Sequence, residues 1–241
     1  MNKTVSEAIE YRRSVRIFKD QDLDTEKVKK CLVNASLAPN SSNMQTWEFL
    51  HITDNNIIKS LAKACFDQNA AKTANQLVVF VVRKDLWRKR AKANINFLNS
   101  VFDSHAKDRA DRRRNAALKY YKVLIPTMYT SFFGLLGILR YMFFNIIGLF
   151  RPIFRQVRRS DMRIVSHKST ALAAQNFMLS MAEIGYDTCA MEGSDTTRVK
   201  KILKLPSSVE INMIVGCGIR HEKGIYTERF RIPFNQIYKE I

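Results

Sequence analysis

Gln76-Leu77-Val78-Val79-Phe80-Val81-Val82 carries six large apolar side chains in a row with no alternation. A strand with one wet face would alternate apolar and polar residues. An unbroken, valine-rich run of this length marks instead a strand covered on both faces. Two more runs suit the same sheet, residues 47–53 (WEFLHIT) and 209–217 (VEINMIVGC), and residues 187–190 read as a shorter extended piece. Helical periodicity surrounds them. Residues 5–12 place Val5, Ala8 and Ile9 on one face, and Asp24-Thr25-Glu26 opens a helix carrying Val28, Cys31, Leu32 and Ala35 that must stop before Pro39. Residues 55–65 and 69–74 form a helix and a shorter one. Residues 163–184 form a long helix closed by Gly185, and Asp195 starts a helix reaching about 203. The fold class is α+β.

The chain has 241 residues, enough for a single domain with its own core. Hydrophobic residues at 46% and charged residues at 26% exclude wholesale disorder. Gly (8) and Pro (5) together reach only about half their usual share, which excludes collagen-like and turn-dense all-β architectures. Cys31, Cys65, Cys189 and Cys217 lie far apart without a C-x-x-C pair, and MNKTVSEAIEYRRS holds no apolar targeting segment. Reduced thiols and a cytoplasmic location are expected. His51, His105, His167 and His221 are scattered, so no metal site is expected.

The abnormal quantity is charge, a formal +18. Residues 83–163 hold 19 Lys/Arg against 5 Asp, a net of +14, and the rest of the chain is close to neutral. Such a segment suits a polyanion: nucleic acid, an anionic membrane surface or a phosphorylated ligand.

Three other segments carry chemistry. Arg12-Arg13-Ser14-Val15-Arg16-Ile17-Phe18 follows the first helix, and Arg12, Ser14 and Arg16 alternate along it, so they can point one way. Forked guanidinium donors and a hydroxyl in that arrangement suit a phosphate. Ala38-Pro39-Asn40-Ser41-Ser42-Asn43-Met44-Gln45-Thr46-Trp47-Glu48-Phe49 is a polar turn running into a strand, and Trp47 there reads as core. Gly185-Tyr186-Asp187-Thr188-Cys189-Ala190-Met191-Glu192-Gly193 follows the long helix that contains Ala171-Leu172-Ala173-Ala174-Gln175-Asn176. By order, spacing and context, the set resembles the FMN-dependent nitroreductase family over nearly the whole chain except about 95–160.

That resemblance implies a nitroreductase-like fold: a central, mainly antiparallel sheet flanked by helices, in an intertwined homodimer with flavin sites built by both chains. It implies an FMN-dependent NAD(P)H oxidoreductase. NADH or NADPH gives hydride to FMN, which then passes it to a small-molecule acceptor such as a nitroaromatic or quinone. The expected cofactor-binding residues are Arg12, Arg13, Ser14 and Arg16, with Arg229 and Arg231 adding phosphate contacts. Asn43 and Gln45 would face the polar edge of the ring system. Met191, Glu192 and Gly193 would pass beside its reactive nitrogen, with Glu192 a structural hydrogen-bonder. No side-chain nucleophile or general base is expected. Thr46 replaces the family's usual proline, and Asp67 stands where an amide is common. The alternative on the same fold is a non-catalytic flavin-binding or membrane-surface module.

The whole of 1–241 reads as one such domain with a helical insert at about 95–160 and a C-terminal arm at 227–241. Residues 123–139 hold 17 positions without a charge, and 141–150 add ten more. A single membrane crossing would put Arg12 and Arg229 on opposite sides of the bilayer, which one flavin site forbids. A helical pair turning near Gly134–Gly137 is expected instead, with Phe132, Phe133, Leu135, Leu136, Ile138 and Leu139 as its apolar face. Three roles stay open for it: a buried lid and dimer contact, peripheral contact with an anionic membrane, or nucleic-acid binding, which charge alone supports.

Overall fold

The computed structural model describes residues 2–102, 107–130 and 135–241. Four strands form one antiparallel sheet: β1 (Trp47–Ile52), β2 (Gln76–Val82), β3 (Asp187–Met191) and β4 (Glu210–Gly218), in the order β1-β2-β4-β3. All of β2 is buried, and its residues alternate between two cores. Leu77, Val79 and Val81 pack on one face with Val15, Leu61 and Ile214, whereas Val78 and Phe80 pack on the other with Val28, Phe177 and Met181. The sheet is thus sandwiched between helices, as the unbroken apolar run requires.

The helices in chain order are α1 (Val5–Tyr11), α2 (Thr25–Ser36), α3 (Asn55–Ala64), α4 (Asn69–Lys72), α5 (Trp87–Phe102), α6 (Lys107–Lys119), α7 (Ile125–Tyr129), α8 (Leu135–Ile147), α9 (Arg159–Glu183), α10 (Thr196–Ile202) and α11 (Phe234–Ile237). Asp24, Asp54 and Asp195 cap α2, α3 and α10, each carboxylate accepting two backbone N–H groups at the helix start. Gly185 takes φ +81 at the end of α9, a backbone conformation that glycine adopts without cost. α9 begins four residues earlier than its apolar pattern suggests, because Asp161 accepts from the Arg158 N–H and closes the first turn. The α1 face expected to be apolar is apolar but uncovered: Ala8 is buried, while Val5 and Ile9 are exposed.

Three departures concern the basic segment. Its helical structure starts well before residue 95, with a 3-10 turn over Lys84–Leu86 leading into α5 at Trp87. A π-helical turn over Tyr120–Leu124 joins α6 to α7, and Thr130 leaves α7 extended. Gly137 lies inside α8, so the turn between the two helices does not reach it and falls between Thr130 and Leu135. Phe132, Phe133 and Gly134 lie outside the described residues, as does the Leu135 side chain. No helix among the described residues is long and apolar enough to cross a membrane.

Candidate functional site

Arg12 caps α1 with extended backbone, and the chain then runs alongside β3, Ser14 bridging Thr188 in parallel. Val15 is fully buried. Its neighbours Ser14 and Arg16 are therefore turned the other way, toward the surface. The Val15 N–H donates to the Thr188 carbonyl (3.1 Å) and the Arg16 N–H to the Gly224 carbonyl (2.7 Å), which fixes the segment on both sides. A Cβ on Gly224 would collide with the Ile17 carbonyl, so only glycine lets the two chains approach this closely.

Arg12, Arg13, Ser14, Arg16, Arg229 and Arg231 converge on one cavity of about 440 Å³, where Glu228 is the single acidic residue. Two of the arginines are engaged in architecture. Arg13 donates to the Thr227 carbonyl (2.6 Å), and Arg229 donates to the carbonyls of Glu10 (2.8 Å) and Arg12 (2.6 Å), clipping the C-terminal arm to the end of α1. Among the described residues the Arg12 and Arg16 side chains make no hydrogen bond, and Arg231 bonds only the adjacent Phe230 carbonyl. Burial, then the like charges of Arg229 and Arg231, push the Arg12 guanidinium below its ordinary value. A half-buried cation among other cations, with its donors unused, is a site short of an anion.

From Arg16 a second depression of about 250 Å³ leads to Gln68 and Tyr226. Gln68 Nε2 donates to the Gly193 carbonyl (2.8 Å), tying the segment after β3 to the start of α4. Met191 is buried. Glu192 is exposed and makes no hydrogen bond among the described residues. A Cβ on Gly193 would meet only Gln68 Nε2, at 3.5 Å, so the fold itself leaves room for a side chain there. Phe66 (φ 58) and Asp67 (φ 52), in the turn before Gln68, hold left-handed backbone.

Asn43 and Gln45 stand elsewhere. They precede β1, at the opposite edge of the sheet from Ser14, four strand spacings or roughly 19 Å away across the strands alone. The register sets Ser14 level with the far end of β1, which displaces them further along the strands. Among the described residues, no hydrogen bond or shared cavity joins them to the arginines. Ser42 (φ 56), Asn43 (φ 48) and Gln45 (φ 46) all adopt left-handed backbone, an unusual density of such residues without glycine. Surrounding bonds hold it. The Gln45 N–H donates to Asn40 Oδ1 (2.8 Å), Asn43 Nδ2 to Asn94 Oδ1 (2.9 Å), and Asn94 Nδ2 to the Asn43 carbonyl (3.0 Å). The Tyr121 hydroxyl donates to the Ser42 carbonyl (2.9 Å), and Met44 is buried against Ala91 and Ile125. The insert thus braces the Asn loop through α5 and the π-helical turn. Beyond the loop, Ser41, Ser42, Tyr120, Met128, Tyr129 and Phe144 help enclose an apolar cavity of about 360 Å³.

Gln68, Asn94 and Tyr121 were not legible as site residues. Asn94 is a buried amide on a helix, a signal visible only once burial is known.

A sequence profile of the Nitroreductase family matches residues 9–219. The chain belongs to the Nitroreductase family. It is 28% identical to Protein DrgA of Synechocystis sp. over 94% of this chain and 89% of that one. It is 20% identical to MhqN of Bacillus subtilis, named provisionally as an NAD(P)H nitroreductase, over 94% and 93% of the two chains. A protein of Exiguobacterium sibiricum crystallised in complex with FMN superposes with TM-score 0.67 at 19% identity, covering 100% of both chains.

Proposed function

We propose that this protein is an FMN-dependent NAD(P)H oxidoreductase acting on a small apolar electron acceptor. The observation that carries the reading is the arginine cavity with unengaged guanidinium groups at Arg12 and Arg16. Its size and charge fit the phosphorylated end of FMN, and the relative crystallised with FMN supports that choice. Arg12, Arg16, Arg231 and the Ser14 hydroxyl would hold the phosphate, with Arg13 and Arg229 adding charge while they secure the arm. Asn43 and Gln45 would hold the polar edge of the ring system, and the backbone of 191–193 would lie beside it. Bound FMN supplies the redox chemistry, accepting a hydride from NADH or NADPH and passing it to the acceptor.

The protein's own part is to bind, orient and exclude water. Asn43 and Gln45 lie more than about 19 Å from Ser14 in one chain, four strand spacings across the sheet, so the reading includes a homodimer in which each site takes its arginines from one copy and its amide loop from the other. The exposed Val5, Ile9, Val33 and Leu37 on α1 and α2 and the exposed arm at 227–241 supply surface for that assembly. The apolar cavity behind Ser41 and Ser42 suits a quinone or nitroaromatic ring, which meets few polar groups there.

Steady-state oxidation of NADH and NADPH by the FMN-loaded protein, with a quinone or a nitroaromatic as acceptor, tests the activity. Acceptor-dependent turnover is expected. Stoichiometric flavin without turnover would favour a flavin-binding module on the same fold.

A further inference from the structure

From 112 to 160 the chain holds ten Lys/Arg and no Asp or Glu, and its apolar residues are oriented contrary to a core helix. On α8, Leu139, Met142, Phe143 and Ile146 recur at i, i+3, i+4 and i+7, and every one is more than half exposed. Leu149 (77% exposed) and Phe150 (84%) extend the stripe past the helix end. The opposite side of α8 packs inward through Phe144, which meets Met128, Val157 and Met162, and through the buried Gly137. Gly137 sits against the backbone of Arg158 and Arg159, and Gly148 sits under the Arg155 guanidinium. A helix that packs one side on its own core and leaves a second stripe of large apolar side chains uncovered needs a cover beyond its own chain.

The rim decides what that cover is. Arg155 donates to the Gly148 carbonyl, Arg158 lies 4.7 Å over the Tyr141 ring and pairs with Asp161, and Arg151 and Arg159 are exposed nearby as the cations left for a partner. A second copy seated face to face would bring two such arginine rims together, a like-charge arrangement that opposes association. Nucleic acid would satisfy the arginines but leave the Leu, Met, Ile and Phe stripe without a partner. An anionic phospholipid surface satisfies both, since acyl chains take the stripe and headgroup phosphates take the guanidinium groups. The thirteen residues of α8 span about 20 Å, short of the roughly 30 Å hydrocarbon core. The helix therefore lies along the surface and does not cross it.

We infer that α8 and the turn after it dock this protein on an anionic membrane surface. The inference is independent of the flavin reading, because the stripe and its rim are built without Arg12, Arg16 or the Asn loop.

Vesicle flotation of the full-length protein tests it. Vesicles of equal parts phosphatidylglycerol and phosphatidylcholine should carry the protein upward at low salt and release it at high salt, and pure phosphatidylcholine should not carry it. The triple variant Leu139→Ser, Met142→Ser, Ile146→Ser should lose flotation while keeping its melting temperature and its mass by light scattering. Arg151→Gln with Arg159→Gln should weaken partitioning by about 25-fold, near fivefold per cation. F143W should show a blue-shifted emission component that brominated lipids quench. Absence of flotation on the anionic vesicles overturns the proposal. So does a triple variant that floats as well as the parent, which would mean a contact through charge alone. A triple variant of lower mass would also overturn it, by assigning the stripe to self-association.

Discussion

At the β3 edge of the sheet, five arginines and a serine surround a cavity in which, among the described residues, the Arg12 and Arg16 guanidinium groups make no hydrogen bond. At the β1 edge, a loop with three left-handed residues has nearly every polar group paired, through Asn40, Asn94 and Tyr121. The first region is unstrained and electrostatically incomplete; the second is strained and locally complete. Incompleteness points to a ligand directly, because a half-buried cation without a partner is costly. Completeness points to positioning: strained backbone persists only where its surroundings determine it, and here α5 and the π-helical turn of the insert do so. One edge grips and the other orients.

The strongest way to break this contrast is to empty the gripping edge. Arg12→Ala with Arg16→Ala removes two charge-assisted partners at about 1.5–3 kcal/mol each. FMN affinity, read by quenching of flavin fluorescence, should fall by roughly a hundred- to ten-thousand-fold. An unchanged affinity would place the phosphate elsewhere. Next comes the support beneath that edge. Asp187 is buried and accepts from the Arg220 backbone N–H (2.8 Å) and Nε (2.9 Å). Asp187→Ala strands that arginine and should cost about 3–5 kcal/mol in urea unfolding.

The fold was legible to the extent that it is written in local apolar pattern. Gln76–Val82 announced a doubly covered strand, and Asp24 and Asp195 announced helix starts, since both signals act within a few residues. The start of α9 was less legible because its cap, Arg158, is not a customary capping residue. The insert was less legible still. The uncharged run reads as a helical pair, and α7 and α8 are two helices, but nothing in the run shows that Thr130 ends the first so early or that a π-helical turn precedes it. Among candidate site residues, the arginine strand could be read from alternation. Gln68 and Asn94 could not, because each acts through a partner far off in the chain, Gly193 and Asn43.

Two smaller effects sharpen the comparison. Asn94→Ala leaves the Asn43 side chain and carbonyl each short of a partner, at a cost of about 1–3 kcal/mol. Flavin affinity should fall modestly, while competition by inorganic phosphate at the arginine cavity stays as in the parent. A loss of phosphate competition would show that the edges are not separate devices. The smallest expected effect is at the cysteines. Burial pushes Cys31 and Cys65 up to about 11, and Cys189 is pushed up as well, although Arg16 and Arg12 pull it down. A raised value keeps a thiol protonated until the pH climbs above its ordinary 9, so at pH 8 all four buried thiols should ignore a disulfide reagent such as DTNB. They should react on unfolding. Rapid reaction of Cys189 alone would mean that the arginine field outweighs burial.

The most direct test of the whole reading is visible absorption of the purified protein after reconstitution with FMN, followed by release and identification of the flavin. One FMN per chain, bound through the phosphate and lost in the Arg12→Ala, Arg16→Ala variant, is the predicted result. A parent protein that stays colourless and leaves the spectrum and fluorescence of added FMN unchanged would contradict it.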